Sequence, residues 1–166
     1  MNIHISSGLG TGPTKMAAFD EALRAAGAAN FNLIRLSSII PADSKVIDEP
    51  GPISAELGKW GDRLYAVMAE IRVDTPNVEA WAGIGWVQNE KTGEGLFVEH
   101  EGSSEATVRR DIEQSMKSLV ESRGKEFGPL NMKVTGITCV HAPVCALVIA
   151  PYLATGWKSS ITGRLK

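Results

Sequence analysis

The sequence lacks any run of basic residues, and its formal net charge is only −2. Neither nucleic acid nor an anionic membrane surface is therefore an expected partner. It also lacks a long apolar run. The most hydrophobic stretch, Cys145 to Ala154, is interrupted by Pro151 and has about half of the roughly 20 residues needed to span a bilayer. Met1-Asn2-Ile3-His4-Ile5 offers neither a charged n-region nor an apolar h-region. No signal peptide is expected, and the cytoplasm is the expected compartment. Cysteine is scarce. Cys139 and Cys145 are separated by five residues, which fits neither a CxxC motif nor a paired zinc-ligand spacing. Both are expected to be small buried apolar residues. His4, His100 and His141 are too scattered to define a metal site, and no metal is expected. No internal repeat or low-complexity tract is visible.

What remains is an ordinary globular composition, 43% hydrophobic and 22% charged over 166 residues, read as a single domain 1–166 with a core that needs no disulfide. Asn2 to Ser6 alternates as a short strand. Gly8-Leu9-Gly10-Thr11-Gly12-Pro13-Thr14-Lys15 lacks both the Gly-Lys-Ser/Thr ending of a phosphate loop and the third glycine of GxGxxG. It is read as a flexible turn with Pro13 near the first position of a helix. Met16, Phe19, Leu23 and Ala26 mark one helical face, closed by Gly27, with Asp20 at its border. Asn30 to Pro41 reads as a strand, and Pro41 with Pro50, Gly51 and Pro52 marks an irregular region after it. Further strands are expected over Asp62–Val73, in a hairpin of Glu79–Gln88 with Gly95–Gly102, and over Met132–Val140 and Cys145–Tyr152. Alternation puts Glu99 and Glu101 on one face and His100 on the other. Ser103 or Ser104 caps a helix whose stripe is Val108, Ile112, Met116, Leu119 and Val120, ending around Arg123-Gly124. The tail from Lys158 is read as polar and loose. About seven strands and two helices with mainly antiparallel joins indicate an α+β layered domain. Two helices cannot cover both faces of so large a sheet, which leaves apolar surface for a second sheet or another subunit.

Inside the Asn30–Pro41 stretch sits Ser37-Ser38, flanked by Leu33, Ile34, Leu36, Ile39 and Ile40. A Ser-Ser bond can undergo an N→O acyl shift when the second hydroxyl is held against the preceding carbonyl. The resulting ester eliminates to release a chain ending at residue 37 and leave dehydroalanine at 38, which hydrolyses to an N-terminal pyruvoyl group. Such chemistry needs a strained, rigidly held backbone and stabilisation of the oxyanion.

Three segments together closely resemble the pyruvoyl-dependent arginine decarboxylases. They are Ala18-Phe19-Asp20-Glu21-Ala22-Leu23, Asn32-Leu33-Ile34-Arg35-Leu36-Ser37-Ser38-Ile39-Ile40-Pro41, and Glu99-His100-Glu101-Gly102. Their order and spacing and the length of the chain fit as well. The resemblance implies self-cleavage into a short β chain 1–37 and a longer α chain 38–166, with a covalent pyruvoyl cofactor made from Ser38 and no metal or pyridoxal phosphate. It implies decarboxylation of L-arginine to agmatine and CO2 through a Schiff base on that group. It makes Glu101 the proton donor and puts Asp20, Leu23 and Asn32 in the substrate pocket. The fold implied is a layered αββα-type sandwich of mainly antiparallel sheets with two principal helices. The assembly implied is a homo-oligomer, a trimer or a dimer of trimers, with active sites between subunits.

These roles are chemically coherent. The pyruvoyl ketone condenses with the substrate α-amine and acts as an electron sink as CO2 leaves. Glu101 must arrive protonated, through desolvation or a neighbouring carboxylate such as Glu99. The Asp20 carboxylate can grip a guanidinium with two parallel hydrogen bonds. Arg35 is read as structural, paired with a carboxylate near the cleavage strand. The segment Gly51–Gly61, ending in Trp60-Gly61, does not map onto the family pattern. Two alternatives stand beside this reading: a non-catalytic oligomeric domain that binds a small ligand, and a pyruvoyl decarboxylase for another amino acid.

Overall fold

The computed structural model describes residues 1–157, so the expected loose tail from Lys158 lies outside the described residues. The elements run β1 (Asn2–Thr11), α1 (Lys15–Ala26), β2 (Asn32–Arg35), β3 (Ile39–Ile40), β4 (Lys45–Asp48), β5 (Arg63–Val73), β6 (Glu79–Gln88), β7 (Gly95–Gly102), α2 (Glu105–Arg123), β8 (Asn131–Thr138) and β9 (Val144–Thr155). They form a five-stranded sheet, β2-β5-β9-β1-β4, and a four-stranded sheet, β3-β7-β6-β8. Pairing is antiparallel except for β1 with β4 and β2 with β5. Among the described residues no helix is long and apolar enough to cross a membrane.

The four layers follow from which face each side chain presents. In β9, Cys145, Leu147 and Ile149 join Ala18, Ala22, Leu23 and Ala26 of α1 in one core. Val144, Ala146, Val148 and Ala150 point the other way and meet Ala80, Ala82, Ile84 and Phe97 of the four-stranded sheet. The unbroken apolar run of β9 is thus a strand buried on both faces. On the far side, Val108, Ile112 and Met116 of α2 pack on Val87, Leu96 and Val98. The order is α1, five-stranded sheet, four-stranded sheet, α2, the expected αββα sandwich, and the surplus sheet surface is buried sheet against sheet.

Three expectations at the N-terminal end need correction. Gly8 and Gly10 belong to β1, not to a flexible turn. A Cβ on Gly8 would lie 1.9 Å from the Ala22 carbonyl oxygen, and one on Gly10 would lie 2.0 Å from that of Ala18. The glycines let α1 sit directly on the strand backbone. That close approach also rotates the buried face onto Ala18, Ala22, Leu23 and Ala26, leaving Met16 64% exposed. The N-cap is Thr14, whose Oγ1 accepts from Ala17 N at 3.1 Å, so Pro13 precedes the cap and is not the first helical residue. In α2 the cap is Ser104, accepting from Thr107 N, and Gly124 ends the helix in the left-handed region at φ 57°.

The strand expected over Asn30–Pro41 breaks in two. β2 pairs with β5 in the first sheet, whereas β3 pairs with β7 in the second. Leu36-Ser37-Ser38 is the crossing between sheets. The irregular region after it contains one further strand, β4, paired with the start of β1.

Candidate active site

The Ser37-Ser38 crossing is fixed at both ends. On one side Leu36 N donates to Ala66 O of β5 at 3.0 Å, and on the other Phe97 N of β7 donates to Ser38 O at 2.8 Å. Sheets pack about 10 Å apart, and three residues reach at most roughly the same distance, so the crossing has little slack. Ser38 takes φ 63°, in the left-handed region. Among the described residues, the other non-glycine residues with positive φ are Asn30, Asp43 and Asn77, of the types that tolerate it. A serine held there carries roughly 1–2 kcal/mol of backbone strain.

The Phe97–Ser38 bond also sets which carboxylate meets the serine. Ser38 Oγ donates to Glu99 Oε1, two residues beyond Phe97 on the same strand. Ser38 and Glu99 line a cavity of about 360 Å³ together with Ser37, His100, Ser115 and Arg123. His100 Nε2 is 2.8 Å from Ser115 Oγ on α2, so His100 faces the helix while Glu99 faces the serine, as strand alternation requires. Glu101 is exposed and lies outside the cavity lining.

A further group arrives from the other sheet. Tyr65 pairs with Leu153 and Ala66 with Pro151, which leaves Tyr152 as the extra residue of a β-bulge in β9. Its Oη donates to the Ile39 carbonyl at 3.0 Å, and its ring meets Phe97 edge-on, centroids 6.2 Å apart. Burial pushes the Tyr152 phenol above its usual pKa, and the charge of Glu99 adds to the effect.

Residues 2–155 match the family described as pyruvoyl-dependent arginine decarboxylase. The chain belongs to this family. A pyruvoyl-dependent arginine decarboxylase of Halobacterium salinarum is 41% identical over 157 residues, covering 90% of this chain and 92% of the relative. One from Pyrococcus horikoshii is 34% identical, covering 85% and 89%. One from Thermococcus kodakarensis is 29% identical, covering 87% and 90%. A more distant likeness is to the structure of a pyruvoyl-dependent histidine decarboxylase at pH 8, with TM-score 0.45, 12% identity, and coverage of 64% and 56%. Membership of the family implies a covalent pyruvoyl cofactor. The local structure fits one at Ser38, a strained serine between two pinned ends with its hydroxyl on a carboxylate.

The structure brings Ser37, Ser38 and Glu99 together, with Glu101 one strand repeat further out. It does not bring Asp20, Leu23 or Asn32 to Ser38 within one chain. Asp20 is exposed on α1, on the side of the five-stranded sheet away from β3 and β7. Leu23 is only 7% exposed and packs in the core between α1 and that sheet. Asn32 is exposed at the far end of β2, up to about 20 Å of chain from Ser38. Its Nδ2 donates to Gly61 O at 2.6 Å, and Trp157 Nε1 donates to the same oxygen at 2.9 Å. The unmapped segment ending at Gly61 therefore shapes the surroundings of Asn32. Arg35 pairs with a carboxylate near the cleavage strand as expected, its Nη2 3.4 Å from Glu70 Oε1.

Two residues escaped the sequence reading in their present roles. Glu99 shares its face with Glu101, and only the pairing of Phe97 with Ser38 separates them. Tyr152 has no local signal except Pro151 before it, a residue that often accompanies a disrupted ladder. Both cysteines are buried, as expected. Burial, then the charge of Glu70, pushes the Cys145 thiol up to about 12, with Arg72 acting in the opposite sense.

Proposed function

We propose that this chain is a self-processing pyruvoyl-dependent decarboxylase that converts L-arginine to agmatine and CO2. The observation that carries the reading is Ser38, held in a left-handed conformation with its Oγ on Glu99 and its carbonyl on Phe97 N. Glu99 takes the Ser38 hydroxyl proton as the oxygen attacks the Ser37 carbonyl carbon. The C–N bond breaks, the Ser38 nitrogen gains a proton, and an ester replaces the amide. Loss of the Ser38 Cα proton with cleavage of the Cβ–O bond releases residues 1–37 with a terminal carboxylate. Water then displaces ammonia from the residue left at 38. The pyruvoyl group so formed supplies the electron sink for decarboxylation.

Glu99, in contact with Ser38, is the residue placed to move protons there, in cleavage and in turnover alike. Glu101, exposed one repeat further out, serves as proton donor only if a neighbouring copy or the substrate encloses it. Asp20, Leu23 and Asn32 are too remote to serve the same chain's Ser38. Their assignment to the arginine pocket therefore goes with a trimer in which one subunit's Ser38 meets another's substrate-binding residues. A non-catalytic binding domain has no use for a strained serine on a carboxylate.

The test is a denaturing gel and an arginine-dependent CO2 assay on one purified preparation. Two bands, corresponding to 1–37 and 38–166, are expected with CO2 release, and Ser38→Ala should give a single inactive chain. A fully active Ser38→Ala variant would end the proposal. CO2 from lysine or histidine in place of arginine would reassign the substrate alone.

A further inference from the structure

We propose that Tyr152 is a positioning residue for the reactive end of the cleaved chain: the bulge in β9 delivers its phenol to the Ile39 carbonyl and keeps the residue made from Ser38 seated on β7. The proposal rests on the reading of Ser38 given above.

Cleavage turns residue 38 into a chain end. Behind it, only the two-residue strand β3 holds that end to the four-stranded sheet, through Ile39 opposite Leu96 and Ile40 opposite Gly95. Ile40 is buried at 1% exposure, but Ile39 is 52% exposed, so side-chain burial anchors the second residue of the strand and not the first. A cut edge strand of this length frays from its free end unless something holds it. Two hydrogen bonds do: Phe97 N to the Ser38 carbonyl at 2.8 Å, and Tyr152 Oη to the Ile39 carbonyl at 3.0 Å. The first comes from within the sheet. The second crosses from the other sheet, and the Tyr152 ring also packs edge-on against Phe97, the residue that makes the first bond. Both supports therefore act on one spot. A regular ladder through Tyr65 and Ala66 would leave no extra residue at position 152, so the bulge is the feature that makes the reach possible.

The variant that isolates the phenol is Tyr152→Phe in the full-length, purified enzyme. It keeps the ring against Phe97 and removes only the hydroxyl. Losing one neutral hydrogen bond at the reacting end is expected to slow turnover by about five- to tenfold. In fully cleaved material kcat should fall by that factor with KM for arginine unchanged. Hydrogen exchange in the peptide containing Ile39 and Ile40 should speed up, while exchange in α1 peptides stays as in the wild type. Either kcat or Ile39–Ile40 exchange remaining at the wild-type value overturns the proposal, as does faster exchange throughout the chain, which marks a general loss of stability. A wild-type chain that never cleaves overturns the Ser38 reading and this proposal with it. A cleaved wild type with an indifferent Tyr152→Phe overturns this proposal alone.

Discussion

Replacing Glu99 by glutamine separates the hydrogen bond its carboxylate makes to Ser38 from the proton transfer proposed for it. The amide oxygen of glutamine still accepts the Ser38 hydroxyl, so the serine keeps its place, but the amide cannot take its proton. A positioned general base contributes about 10²–10⁴-fold, or roughly 2.7–5.4 kcal/mol at 1.36 kcal/mol per tenfold. Ser38 Oγ has one carboxylate partner among the described residues, Glu99, and Glu101 lies outside the cavity. Glu99→Gln should therefore cleave at least about 100-fold more slowly than wild type. Glu101→Gln, altering an exposed side chain, should cleave within about threefold. The assay is a timed denaturing gel from freshly synthesised precursor, following the intact chain and the 38–166 fragment. Cleavage of Glu99→Gln within threefold of wild type would refute the assignment. A slower Glu101→Gln than Glu99→Gln would transfer the role to the outer carboxylate.

Other consequences are open to measurement. Gly10→Ala places a Cβ 2.0 Å from Ala18 O and 2.5 Å from Ala22 N, both helix backbone, and should cost about 3 kcal/mol in a urea titration. Gly51→Ala, with nothing within 4 Å of the new Cβ, should stay within about 0.5 kcal/mol of wild type. Burial raises the Cys145 thiol to about 12 in the folded state, so the native chain binds that proton more tightly than the unfolded one. The corresponding stability is complete below pH about 9 and is lost as pH rises towards about 12. Urea midpoints of wild type relative to Cys145→Ala should accordingly fall between about pH 8 and about pH 10.5, and parallel curves would contradict the cause. Asp20→Asn should leave cleavage unchanged and raise KM for arginine at least about tenfold, the loss expected for a charged partner of a guanidinium.

The layered architecture was legible in the sequence because it follows from periodicity. The β6–β7 hairpin and α2 have patterns their own residues dictate, and the observed boundaries fall close to the expected ones. What escaped depends on partners distant in sequence. The expected face of α1 holds at Leu23 and Ala26, with Phe19 packed beside them, but Met16 lies outside it, because Gly8 and Gly10 draw Ala18 and Ala22 inward from a separate strand. Asn30–Pro41 has the composition of one strand, and only the competition of β5 and β7 for its two halves divides it at the serines. At the site, Ser37-Ser38 was readable as a motif, but the choice of Glu99 as its contact depends on the register with Phe97.

That division would let the proposed cleavage proceed without dismantling the fold. Residues up to Leu36 are tied to the five-stranded sheet through Ala66, and residues from Ile39 are tied to the four-stranded sheet through Leu96 and Gly95. The bond between Ser37 and Ser38 lies in the crossing, so breaking it removes no strand pairing. The chain 1–37 that the proposed cleavage would form contains β1, which lies between β9 and β4, and α1, whose alanines lie against β1 at backbone distance. It cannot leave without opening two cores. A continuous strand, as the composition of Asn30–Pro41 suggests, would have placed the same serines within one ladder, where left-handed φ at Ser38 is excluded and cleavage would sever a paired strand. Strain at Ser38 and tolerance of the proposed cut would thus have one origin, the passage of a single short segment between two sheets that each hold one of its ends.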